Sequence, residues 1–170
     1  MSLEISELDV DIQDIITKSD LTPKTKENLT KTKIILLPAS FSVSYKKGDF
    51  PSDTPNFFKF LRIEHPEISV TLFENGGEEK IQALHAAEII LPPLYYTIQD
   101  YSIDLIIGII GAYLYDKFKG DPDLERKRVK TEIFAGEKGS TKIIHIYSEG
   151  PVSGIKEIKK LFNSYMNKKK

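Results

Sequence analysis

The stretch DYSIDLIIGIIGAYLYDKFKG, residues 100–120, is the most apolar part of the chain and decides the fold. A helix that spans a membrane needs about 20 predominantly apolar residues. Here Asp104 and Asp116 enclose only eleven uncharged residues, which is too short for a crossing. Apolar side chains nevertheless surround most of this helix, and that pattern predicts burial on most of its sides. We therefore expect a helix over residues 101–119 inside a soluble domain, with no membrane contact.

A strip of small residues runs along this helix, because Gly108, Gly111, Ala112 and Tyr115 recur at helical spacing. Gly in a helix costs about 1 kcal/mol relative to Ala, so two glycines on one strip need a packing reason. The first interpretation is close packing of the strip against backbone of the same domain. A surface for self-association or for a protein partner is the second, and membrane insertion is the third.

Composition limits the possible classes of protein. A chain of 170 residues with 40% hydrophobic content can bury one sizeable core. The absence of cysteine excludes disulfides and thiol catalysis and removes most structural zinc sites, and the three histidines are dispersed. The N-terminus lacks a basic region followed by an apolar stretch, so we expect a cytoplasmic, microbial protein. No metal site and no cofactor are predicted.

Charge is unevenly distributed along the chain. Residues 1–20 hold six acids and one lysine, which gives −5, whereas residues 121–170 hold twelve basic and seven acidic residues, which gives +5. Such segregation can favour head-to-tail association or an acidic partner. The basic C-terminal part has no regular aromatic interleaving, so nucleic-acid binding is not indicated.

The N-terminal residues carry apolar side chains at helical spacing, and we predict an amphipathic helix over residues 4–18. Its stripe of Ile5, Leu8, Ile12 and Ile15 is a candidate interaction surface. The polar stretch that follows reads as a linker. The predicted organisation is a helical appendage over residues 1–20, a linker over residues 21–32, and a single domain over residues 33–170.

The remaining periodicity predicts the elements of that domain. Short apolar runs predict strands at residues 33–38, 68–74 and 94–99, and a Gly-containing turn predicts a β-hairpin over residues 128–148. Helices are expected at residues 54–65 and 152–166, whereas residues 78–87 fit either a helix or an irregular strand. We predict a two-layer α+β domain whose mixed sheet contains the hairpin and is covered on one face by helices 101–119 and 152–166. An α/β fold with more parallel pairing is the alternative.

An anion site is one candidate in the segment SEGPVSG, residues 148–154, which leaves a strand and enters a helix. The first amides of a helix are free to bind an anion, and this identifies Ser153 and Gly154 as candidate ligands. Glu149 would repel an anion and Pro151 has no N–H, so ordinary helix capping competes with this interpretation.

The last strand of the hairpin places His145 and Tyr147 on one face, together with Glu149. These residue types can support general acid–base catalysis, but no nucleophile or second carboxylate stands at a supporting spacing. We expect instead that this face is covered by another element or by a partner, with His145 and Tyr147 as candidate interaction residues.

The expected function is a non-catalytic protein-interaction domain that serves as a subunit or adaptor of a larger assembly, through a protein partner or self-association. The reason is that the sequence offers apolar and charged surfaces without an assembled catalytic set. An enzyme with an unfamiliar site, such as a hydrolase acting on a phosphate-containing substrate, is the alternative.

Overall fold

The computed structural model describes residues 1–77, 80–83 and 88–170. The fold is α+β with a mixed sheet, as predicted. Seven strands are described: β1 (Ser2–Asp9), β2 (Ile34–Leu36), β3 (Val70–Leu72), β4 (Glu88–Ile90), β5 (Leu94–Thr97), β6 (Arg128–Gly136) and β7 (Lys142–Pro151). Six helices are described: α1 (Ile12–Lys18), α2 (Pro23–Lys31), α3 (Phe41–Ser44), α4 (Thr54–Glu64), α5 (Ile103–Lys117) and α6 (Ile155–Lys169).

The strands form one sheet in the order β1-β7-β6-β5-β2-β3, with β4 paired to the first part of β6. Pairing is antiparallel for β1/β7, β6/β7 and β2/β5, and parallel for β2/β3, β4/β6 and β5/β6. The predicted hairpin is therefore confirmed at the centre of the sheet. Its turn contains Gly139 at φ 77°, a left-handed conformation that glycine adopts without strain.

One face of the sheet, here called the α5 face, packs against α4, α5 and α6. Alternation along the strands directs Ile133 and Ile146 to this face, where they join Ile106 of α5 and Ile158 of α6 in one core cluster. All four side chains are almost fully buried. The two long helices therefore lie where the sequence predicted them, over the hairpin.

The opposite face, here called the α1 face, packs against α1, α2 and α3. Its core contains Phe134 and Ile143 of the hairpin together with Ile16, Leu29 and Phe41 of the three helices. These helices add a second covering layer that the sequence prediction lacked. Between the two layers, β2 is buried at all three positions, as its uninterrupted apolar run indicates.

The predicted N-terminal helix over residues 4–18 is wrong in its first half, because Ser2–Asp9 is a strand. All eight residues of β1 pair in register with β7. The sequence SLEIS alternates polar and apolar residues, and a neighbouring strand rewards that period of two with a complete ladder of hydrogen bonds. Only Ile12–Lys18 is helical, and it begins after Asp11, whose side chain accepts a hydrogen bond from the Gln13 amide.

The predicted linker over residues 21–32 contains a helix, which corrects the prediction of an irregular segment. Thr22 caps α2, Pro23 occupies its first turn, and Leu29 is buried against the α1 face. The predicted division into an appendage, a linker and a domain, with boundaries after residues 20 and 32, implies that these parts fold independently. That division stays a prediction. The ladder between β1 and β7 argues that residues 2–9 contribute to the stability of the sheet.

The small-residue strip of α5 does not pack on backbone of the same domain, and this part of the prediction is wrong. Gly108 and Gly111 are exposed, and a Cβ added to either would meet no atom within 4 Å. Ile106 and Ile110 face the sheet instead, and they supply enough apolar contact without the glycines.

The predicted helix or irregular strand at residues 78–87 falls largely outside the described residues. Within the part that the structure does show, Ile81 forms an isolated parallel bridge with Phe50. None of the helices in residues 1–77, 80–83 and 88–170 combines the length and apolar character of a membrane span.

Candidate interaction surfaces

A group of polar side chains, here called the hairpin polar patch, occupies the α1 face of β6 and β7 next to the buried side chains of Phe134 and Ile143. The register places alternate residues of both strands on this face. The members of the patch are Arg128, Lys130, Glu132, His145, Tyr147 and Glu149. The structure thus brings the two predicted residues His145 and Tyr147 onto one face.

His145 contacts Glu132, which has the most buried carboxylate of this patch. Its Nε2 lies 2.9 Å from Oε2 of Glu132, whose side chain is only 7% exposed. The imidazole ring also stacks on Phe134, with centroids 4.5 Å apart. Because a buried carboxylate without a partner is strongly destabilising, His145 satisfies Glu132 at the edge of the apolar core.

Tyr147 and Glu149 form a second pair in the patch. The Tyr147 hydroxyl donates a hydrogen bond to Glu149, and this bond raises the pKa of Tyr147 to about 12 and lowers the pKa of Glu149. Arg128 adds an ion pair to Glu149 at 3.4 Å, and Lys130 lies over the Tyr147 ring at 5.6 Å. The Glu149 carboxylate therefore has both a hydrogen-bond donor and a cation as partners within the patch.

The candidate anion ligands Ser153 and Gly154 lie at the start of α6, after a short 3-10 turn over Val152–Gly154. A Cβ placed on Gly154 would be 2.7 Å from the Met1 sulfur, so the Met1 side chain lies against the point where an anion would approach. Ser153 is exposed, and no side chain caps this end of the helix. Anion binding at these two residues stays a prediction.

The four candidate interaction residues of the N-terminus do not share one surface. Ile5 packs on the α5 face, whereas Leu8, Ile12 and Ile15 pack on the α1 face. Ile12 is 6% exposed and belongs to the chain's own core. The structure separates them because Ile5 and Leu8 lie on a strand, where residues three apart point to opposite faces. Their role in interaction stays a prediction.

An apolar surface does appear on the outer side of α5, here called the α5 outer strip. It comprises Leu105, Gly108, Gly111, Ala112 and Tyr115, all of them exposed. Leu105 is 37% and Tyr115 63% exposed, and each strip residue lies three or four positions from another strip residue on the same side. Sequence analysis identified most of this strip but assigned it to the interior.

Sequence analysis missed a buried ion pair at the C-terminal end of α5. Asp53, only 3% exposed, contacts the Lys117 ammonium and accepts a hydrogen bond of 3.1 Å from the Tyr113 hydroxyl. Burial raises the pKa of Tyr113 to about 12 and lowers the pKa of Lys117. Tyr113 and Lys117 line a cleft of about 290 Å³ between α4 and α5. Asp53 and Lys117 are far apart in the sequence, and no local sequence motif predicts that they pair.

Comparison with known protein families, with curated protein sequences and with solved structures found no match for this chain. A functional proposal therefore has to come from the geometry of the chain itself.

Proposed function

We propose that this chain is a non-catalytic protein-interaction domain that serves as a subunit or adaptor of a larger assembly. The observation that supports the proposal is the α5 outer strip. A helix that is apolar on all sides is normally buried, yet α5 leaves Leu105 and Tyr115 in contact with water. Large exposed apolar patches are typical of surfaces that contact another molecule.

The two glycines of the strip strengthen this proposal. Each exposed glycine weakens the helix by about 1 kcal/mol relative to alanine. Gly108 and Gly111 have no neighbouring atom within 4 Å that would require the absence of a side chain. Close packing of a second helix on the strip would require residues without side chains at these two positions, because small residues let two helix backbones come near each other.

Charge indicates what kind of helix would dock. Asp104, which forms an ion pair with Lys159 of α6 at 3.2 Å, and Asp116 stand at the two ends of the strip. If a second copy packed antiparallel about Ile110, it would place Leu105 opposite Tyr115 and Gly108 opposite Ala112, but also Asp104 opposite Asp116. Like charges in contact oppose association, so the strip favours a partner helix whose ends are basic.

Site-specific photo-crosslinking in the cells that make the protein would test this proposal. A photoreactive amino acid at Ala112 reports on the strip, and the same amino acid at Lys156, an exposed position of α6, is the matched control. We expect Ala112 to yield one defined adduct with another protein, mapped to a helix with basic ends, and Lys156 to yield none. Equal labelling at both positions, the absence of any adduct, or an adduct only with a second copy would contradict the proposal.

A further inference from the structure

The first strand of the chain forms a long edge of the sheet. β1 stands at the end of the strand order, and its eight residues pair with β7 alone among the described strands. The strand at the other end, β3, has only three residues. A sheet edge exposes backbone N–H and C=O groups that can pair with a further strand.

β1 carries three acids but lacks the other features by which proteins usually protect such an edge. Its sequence SLEISELD contains no proline, lysine or arginine, and its register with β7 continues without a bulge from Ser2 to Asp9. Short length, charged side chains, proline and bulges are the usual means of preventing strand addition, and of these β1 has only the acids Glu4, Glu7 and Asp9. The edge is therefore competent to pair with an extended segment.

The acids near this edge differ in whether they have partners. Glu7 contacts Lys142 at 3.2 Å, Lys169 and the Tyr165 hydroxyl at 3.1 Å, and Asp9 accepts a hydrogen bond from Thr141 at 3.4 Å. Glu4 is exposed on the edge, and no ion pair or hydrogen bond of its side chain is formed with any described residue. One exposed acid that has no partner among the described residues thus lies in the first half of β1.

We infer that the outer edge of β1 binds an extended segment of a partner protein in which apolar residues alternate with lysine or arginine. The basic residue would lie opposite Glu4, where a cross-strand pair of opposite charges is favourable. Its apolar neighbours would lie beside Leu3 and Ile5, which are half-buried and already pack on the α5 face. This surface is separate from the α5 outer strip, so the inference goes beyond the proposed function.

A second copy of the chain fits this edge less well. β1 contains no basic residue, so pairing β1 with β1 cannot place a cation opposite Glu4 in any register. β3 has the sequence VTL and cannot supply one either. The charge of the edge therefore favours a basic segment from a different protein.

Peptide binding measured by fluorescence anisotropy would test the inference on the full chain. The probe is a labelled seven-residue peptide of alternating valine and lysine, compared with its valine–glutamate counterpart and with a version N-methylated at alternate backbone nitrogens. We expect the lysine peptide to bind at least about fivefold more tightly than the glutamate peptide, which corresponds to one favourable cross-strand pair. N-methylation on the pairing edge should abolish binding, because the added strand then loses its backbone hydrogen bonds.

Charge reversal identifies the residue responsible. Glu4→Lys should invert the preference between the two peptides, whereas Glu125→Lys, which reverses an exposed acid elsewhere, should leave it unchanged. The inference is overturned if both peptides bind equally, if N-methylation has no effect, if Glu4→Lys does not change the preference, or if the chain dimerises through β1. Gly111→Glu, which blocks the α5 outer strip, should not alter peptide binding, so the two proposals can fail separately.

Discussion

The helices α5 and α6 have the same length, 15 residues each, and contact each other on the same face of the sheet, yet they present different surfaces to water. The outward side of α6 carries the lysines Lys156, Lys159 and Lys160. The outward side of α5 carries the small and apolar residues of the α5 outer strip. Both helices have the same length and cover the same face of the sheet, so neither length nor the covered face explains the difference.

The outward residues of α6 are those expected of a helix that faces water, whereas the outward residues of α5 are not. A helix at the surface of a globular protein normally turns an apolar stripe inward and charged residues outward, as α6 does. α5 has an adequate inward stripe in Ile106, Ile110 and Leu114, and its exposed apolar residues contribute little to the chain's own core. The comparison supports the proposal that the outward residues of α5 serve a contact outside this chain.

The largest expected effect comes from the ion pair that anchors α5 and has no counterpart in α6. Asp53→Ala should lower the free energy of unfolding by about 2–5 kcal/mol, because it leaves the buried Tyr113 hydroxyl without its acceptor and the partly exposed Lys117 ammonium without its partner. Chemical denaturation measures this loss. Glu157→Ala removes an exposed ion pair with Lys160 in α6 and should cost less than about 1 kcal/mol. Similar losses in the two variants would show that Asp53 has no anchoring role.

The next effect separates the inward and outward sides of α5. Ile106→Ala deletes a fully buried side chain and should cost about 2–5 kcal/mol, whereas Leu105→Ala, one residue away, should change stability by less than about 1 kcal/mol. Thermal and urea unfolding provide the values. A large loss in Leu105→Ala would mean that the outer strip stabilises the isolated chain, and the comparison with α6 would then lose its meaning.

Replacing glycine with alanine should destabilise the fold at a crowded site and stabilise it at an open site. A Cβ on Gly136 would lie 2.5 Å from the Tyr95 hydroxyl, so Gly136→Ala should destabilise the fold by about 1–3 kcal/mol. Gly111→Ala meets open space and should stabilise the fold by up to about 1 kcal/mol through better helix propensity. Destabilisation in Gly111→Ala would restore the interpretation of close internal packing.

The smallest effect concerns the C-terminal end of α6, which is held at the surface. Hydrogen bonds from Lys169, Lys142 and Tyr165 lower the pKa of Glu7 to about 2, from an ordinary value of 4.5. Because the folded pKa is the lower one, this contribution is present above pH 4.5 and is lost as the pH falls towards 2. The protection of amides in the last turn of α6, taken relative to intrinsic exchange at each pH, should therefore fall over that window in the wild-type chain and depend less on pH in Glu7→Gln. An identical profile in both proteins would rule out this tether.

The sequence allowed the strongest local patterns to be predicted. The apolar runs at β2 and β5, the Gly-containing turn of the hairpin and the helical stripe of α6 have one dominant period each, and each was confirmed. The prediction failed for β1 because its apolar positions fit both the period of a helix and the period of a strand. Only β7, more than 130 residues away, decides between them.

The candidate sites were less predictable for a related reason. Periodicity identified α5 as apolar on all sides, but it could not show which side the sheet would cover. The pairs Asp53–Lys117 and Glu132–His145 depend on contacts between separate elements. Of these four residues, only Glu132 could have been identified from the sequence, because an acid inside the apolar strand TEIFA implies a buried partner.

The most direct test of the central claim is the affinity of the double variant Gly108→Ala/Gly111→Ala for the protein crosslinked at Ala112. Isothermal titration gives the dissociation constant, and denaturation of the same samples gives the free energy of unfolding. If the strip docks a partner helix, the variant should fold more stably than the wild type and bind at least about tenfold more weakly, because two methyl groups then separate the backbones. Unchanged affinity in a variant with raised stability would show that the α5 outer strip is not the interface.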